Sequence, residues 1–154
     1  MYGICLNCQN ELLVVLKSEG PYSGKYDLPG GSLNDTESLN EALIRECKEE
    51  TAMEVDISNN YGCYDFLVES PYNGCTHTHH IAQLYGITIK KQSFNNVSKY
   101  VYLNGEREEN DSLGAFWKAI EIFNKDNSSP LILKACQIIK NAKVAAINSM
   151  IYWK

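Results

Sequence analysis

Three glutamates, Glu46, Glu49 and Glu50, fall together in the stretch RECKEE (45–50), with Arg45 at its head. Clustered carboxylates have two common uses: they form a solvated acidic face, or they hold a cation. Like charges packed against a protein body are costly unless something neutralises them. A divalent cation does so, and oxygen donors of this kind suit magnesium or manganese. The direction in which the glutamates point therefore decides between the two uses.

A helix over 38–51 must position them. Ser38 and Glu41 form S-x-x-E, a capping box, which places the helix start at Ser38. With 100° per residue and Leu39 at zero, Leu43 falls at about 40°, Cys47 at about 80° and Ala42 at about 300°. Glu50 falls at about 20°, Glu46 at about 340° and Glu49 at about 280°. Leu39, Leu43, Glu46 and Glu50 thus follow the i, i+4, i+7, i+11 line of a core-facing stripe. Leu39, Ala42 and Leu43 read as core. Glu46 and Glu50 share their inward line, and Glu49 lies at its edge.

The remaining chain is expected to form a mixed sheet with helices on its faces. ELLVVLKS (11–18) reads as a buried strand, GCYDFLVES (62–70) and HIAQLYGITIK (80–90) as further strands, and VSKYVYL (97–103) as a strand or edge. Residues 19–31 are turn and loop, and 104–114 an acidic loop. AFWKAIEIF (115–123) starts as a strand and turns helical. The segment 127–151 reads as a helix with Ser129 as N-cap and Pro130 at its first position.

With 154 residues the chain fits a single domain over 1–154. The net charge of −5 argues against a nucleic-acid partner, which needs basic surface. No apolar run has the length of a membrane span, and no secretory leader is recognisable, so a cytoplasmic protein is expected. The six cysteines then read as reduced thiols.

Residues 31–53, GSLNDTESLNEALIRECKEETAM, resemble the Nudix box, G-x5-E-x7-R-E-U-x-E-E-x-G-U with U a bulky aliphatic. Gly31, Glu37, Arg45, Glu46, Glu49 and Glu50 match its fixed letters, and Met53 its last apolar one. Cys47 stands at an aliphatic position, and Ala52 replaces the second glycine. YDLPGG (26–31) resembles the lead-in to the box in many members.

The resemblance implies a Nudix-type α/β/α sandwich with a mixed β-sheet. It implies an enzyme that hydrolyses a nucleoside diphosphate linked to another group X with Mg²⁺ or Mn²⁺, water attacking phosphorus. Glu46 and Glu50 are then metal ligands, and Glu49 a third ligand or a group that positions water. Arg45 orients carboxylates through a bidentate contact with Glu37 or another box glutamate. Gly30 and Gly31 allow an unusual turn, and the Gly30 carbonyl is a further metal donor. A catalytic base from outside the box is sought among Glu106, Glu108, Glu109 and Asp111, with Glu109 the first choice. A homodimer is a family habit that no residue here shows.

Other features remain open at this point. His77, His79 and His80 begin a strand and are candidates for the substrate mouth or for ordinary surface. Tyr22, Tyr26, Tyr72 and Phe116 could stack on a base or simply pack. Two competing readings are a catalytically weak Nudix-fold domain that binds a nucleotide for regulation, and a zinc or thiol protein built on Cys5 and Cys8 with Cys75, His77 or His79. The intact box carboxylates speak against the first. The opposite facing of i and i+3 on a strand speaks against the second.

Overall fold

The strand β2, Glu11–Lys17, is apolar on both faces because both are covered. Leu12 and Val14 enter one core cluster, and Leu13 and Val15 enter another on the opposite side. The computed structural model, described over residues 1–72, 74–90 and 112–151 without the side chains of 70–72, 112 and 143–151, places one helix against each cluster. Helix α1, Leu39–Thr51, contributes Ala42, Leu43 and Cys47 to one core. Helix α2, Pro130–Ile151, contributes Leu131, Ile132, Ala135, Cys136 and Ile139 to the other. The result is an α/β/α sandwich.

Among the described residues, two three-stranded sheets make the middle layer. In the first, β1 (Tyr2–Ile4) runs parallel to β5 (Cys75–Ile89), which pairs antiparallel with β4 (Val55–Tyr72). In the second, β2 pairs antiparallel with β3 (Tyr26–Asp27) and with β6 (Ser112–Ala119). Backbone bonds join the sheets, with Leu13 N–H donating to the Cys5 carbonyl at 2.9 Å and a bridge pairing Leu6 with Leu12. Short 3₁₀ turns occupy Gly20–Tyr22 and Ile120–Ile122. No helix among the described residues is long and apolar enough to cross a membrane.

Several expectations need adjustment. The strands expected at 62–70 and 80–90 are longer: β4 and β5 form one long hairpin with shifts of register at three places. The expected loop 104–114 ends earlier, because residues 112–114 already belong to β6. Leu39 is not core: it is 44% exposed. It sits in the first helical turn beside the solvated capping box, and the buried stripe begins only at Ala42. The expected strand 97–103 lies outside the described residues.

Candidate active site

Helix α1 begins as its sequence dictates. The Ser38 hydroxyl accepts from Glu41 N–H at 3.3 Å, and the Glu41 carboxylate accepts from Ser38 N–H at 2.8 Å. It ends on Ala52, whose φ of 56° and ψ of 16° are left-handed, the geometry that favours glycine at a helix C-terminus. Between these ends the helix turns Glu46 and Glu50 toward the protein. Glu50 is 3% exposed, and Glu46 is half-buried. Glu49 is exposed at the edge.

The turn before the helix meets these carboxylates. Gly30 has a φ of +143°, and a Cβ there would press on the backbone of Met1 and Tyr2. Its N–H donates to Glu50 Oε2 at 2.9 Å. A Cβ on Gly31 would lie 2.5 Å from Glu46 Oε1. The glycine pair is thus what lets two carboxylates lie against one turn.

Cations of the protein meet every box carboxylate. Arg45 grips Glu37 with its fork, Nη2 to Oε1 at 2.6 Å and Nε to Oε2 at 3.0 Å, and also reaches Glu49 at 2.9 Å and Glu46 at 3.1 Å. Lys17 Nζ donates to Glu50 Oε1 at 2.7 Å, with both residues buried. The Arg45 hydrogen bonds hold the Glu37 carboxyl down to about 2, and the same contacts push the guanidinium further up. Glu46 moves the other way: burial raises its pKa, and Arg45 only partly opposes this. Among the described residues no three or more His, Cys, Asp or Glu side chains converge in a metal-holding group.

A cleft of about 440 Å³ opens beside this turn, lined in part by Lys17, Glu46, Gly31, Tyr2, Tyr22 and His80. His80 is the histidine drawn inside. It stacks on Tyr22 with centroids 5.6 Å apart, pairs its Nδ1 with the Tyr22 hydroxyl at 2.8 Å, and meets Tyr2 edge-on. Burial lowers the His80 pKa, helped by the N-terminal ammonium and by Lys17. His77 is exposed, and His79, at the cleft wall, pairs with Asp65 at 2.9 Å. Tyr26 and Phe116 pack on each other instead of lining the cleft. The Tyr72 side chain and all of Glu106, Glu108, Glu109 and Asp111 lie outside the described residues. Cys5 is buried while Cys8 is exposed, and all six cysteines are free.

Sequence reasoning missed Lys17. Its signal was present: a lysine that closes an otherwise apolar, doubly buried strand has to be paired.

The family model described as NUDIX domain matches residues 2–121. The chain belongs to the Nudix family. Among its relatives, an ADP-ribose pyrophosphatase of Methanocaldococcus jannaschii is 34% identical over 55 residues, covering 36% of this chain and 32% of that protein. The low-salt glycan biosynthesis protein Agl8 of Haloferax volcanii is 28% identical over 79 residues, 51% of each chain. The match therefore spans a third to a half of the length of these curated relatives. A Nudix hydrolase from Nitrosomonas europaea shares the fold, with a TM-score of 0.66 at 21% identity over 92% of this chain and 87% of that one.

Proposed function

We propose that this Nudix domain, taken as one unit over 1–154, is a divalent-metal-dependent hydrolase of a nucleoside diphosphate linked to a further group. The observation that carries the reading is the pair of inward carboxylates, Glu46 and Glu50, set against the Gly30–Gly31 turn at the wall of a cleft. The donors suit Mg²⁺ or Mn²⁺ in kind: they are hard oxygens, and burial raises the Glu46 pKa more than its contact with Arg45 lowers it. Mg²⁺ usually takes one or two carboxylates and completes its shell with water and phosphate oxygens, so a third converging side chain is not required.

In this reading Glu46 and Glu50 hold the metal, and the Gly30 carbonyl offers another oxygen. Bound there, the ion would offset phosphate charge and acidify water. Arg45 fixes the rotamers of Glu37, Glu46 and Glu49, which leaves Glu49 at the edge to orient the attacking water. Glu109 stays the proposed base from outside the box. The aromatic wall of Tyr2, Tyr22 and His80 suits the nucleoside part of the substrate. The net charge of −5 is consistent with a small anionic substrate brought in through the metal and not with a nucleic acid.

The partial likeness to an ADP-ribose pyrophosphatase makes ADP-ribose the first substrate to try. The test is phosphate release from ADP-ribose, nucleotide sugars, dinucleotides and nucleoside triphosphates, each with Mg²⁺, with Mn²⁺ and with chelator, coupled to a phosphatase. Metal-dependent turnover of one class is expected. Binding of a nucleotide without any turnover, under either metal, would instead make this a sensing domain.

A further inference from the structure

Lys17 is the last residue of β2, and its position has a structural cause. It follows Leu13 and Val15 on the face turned to α1, by the period of two along a strand. The pairing with β6 shifts register between Val15 and Lys17, where β6 carries the extra residue and β2 keeps its alternation. The backbone is fixed on both sides, with Lys17 N–H donating to the Lys25 carbonyl at 3.0 Å and Gly24 N–H to the Lys17 carbonyl at 2.8 Å. The ammonium is thereby delivered to Glu50 at 2.7 Å, where the lysine is 7% and the glutamate 3% exposed.

A buried pair of this kind is weak support for a fold, because taking both charges out of water is costly. Its place is more telling. Lys17 sits on a box carboxylate of the inward line of α1, and it lines the same cleft as Glu46. We propose that Lys17 is the built-in counter-ion of Glu50, which a divalent cation must compete with, so that Lys17 sets how tightly the site holds metal. This rests on the metal-dependent reading above.

The physics is electrostatic. A carboxylate oxygen has room for two partners. An ammonium and a divalent cation on the same carboxylate are close neighbours, and at such separations like charges repel strongly in a desolvated site. What the Lys17 ammonium gains from the Glu50 carboxylate at 2.7 Å is set against the affinity for the ion, and the ion loosens Lys17 by the same factor.

The test is Mn²⁺ binding without substrate, by calorimetry and by the signal of free Mn²⁺ in electron paramagnetic resonance, on wild type, Lys17→Met and Lys17→Arg. Lys17→Met is expected to bind Mn²⁺ about tenfold more tightly, within the usual range of such couplings. Lys17→Arg, which keeps the charge, should stay within about threefold of wild type on the same scale. Equal or weaker binding by Lys17→Met would overturn the inference while leaving the metal reading intact. Absence of binding by all three proteins would sink the two together. If Lys17→Met does not fold, wild type decides by nuclear magnetic resonance during a Mg²⁺ titration. The side-chain ammonium signal of Lys17 should move with the same midpoint as the Gly30 amide, and a Lys17 signal that stays fixed while Gly30 moves contradicts the proposal.

Discussion

Arg45 meets Glu37, Glu46 and Glu49 at once, so one guanidinium sets the rotamers on one side of the box. A lysine could not replace it, having a point charge where the fork spans two oxygens. The other residue of note is Ala52. Its left-handed φ costs roughly 1 kcal/mol for a residue with a Cβ. It carries no donor to the site, and its N–H closes the helix on the Lys48 carbonyl at 2.9 Å. Ala52→Gly should therefore raise stability by about 1 kcal/mol in urea unfolding while turnover stays within about twofold. A large change in turnover would show that the last turn of α1 helps to aim Glu50.

At the scale of elements, α2 is tied to the site side of the molecule by its cap. The Ser129 hydroxyl accepts from Ile132 N–H at 3.3 Å and donates to the buried Asp27 carboxylate, while Ser129 N–H donates to the Tyr26 carbonyl at 2.8 Å. Ser129→Ala removes a helix cap and one donor of a buried carboxylate, and should cost about 2 kcal/mol in chemical unfolding. A loss under about 0.5 kcal/mol would mean that water replaces the hydroxyl fully, beside the Leu28 N–H that already donates to Asp27 at 2.9 Å. Both helix starts were legible in the sequence because capping is local: S-x-x-E fixed one, Ser-Pro the other. The inward face of α1 was legible because 3.6 residues per turn is a rigid rule. The extent of β4 and β5 was not, since their outer ends alternate polar and apolar weakly and are held by each other across the hairpin. For Lys17 the need of a partner was legible and the partner was not: Glu50 lies 33 positions away, and only the sandwich brings the two together.

At the scale of the whole molecule, the sandwich buries titratable groups where its layers meet the cleft. His80 is the clearest case. Its folded pKa lies below the ordinary 6.5, so the unfolded chain takes up a proton that the folded one resists. Stability from this group is complete above pH 6.5 and is lost as pH falls from there through the lowered folded value. Wild type should therefore lose stability on going from about pH 7.5 to about pH 5.5, and His80→Asn should flatten that slope in urea titrations at each pH. An unchanged slope would place the acid sensitivity elsewhere. Glu46 has the opposite sign. Its raised folded pKa means that its contribution is complete in acid, below the ordinary carboxylate value, and is lost as pH rises through the raised one. The ionised form of Glu46 is therefore the one held at a cost to the fold, as expected of a carboxylate kept for a cation.

That asymmetry defines the most direct measurement: turnover and unfolding of Glu46→Gln beside Glu50→Gln, at pH 7 with Mg²⁺ or Mn²⁺ on the best substrate of the panel. The account predicts that Glu46→Gln loses turnover by about a hundredfold or more, as for a metal ligand, while its metal-free form is no less stable than wild type. Glu50→Gln should lose as much turnover and also lose stability, because it leaves the Lys17 ammonium buried beside an uncharged amide. Turnover of Glu46→Gln within a few-fold of wild type would contradict the central claim that the inward carboxylates of α1 hold the catalytic ion.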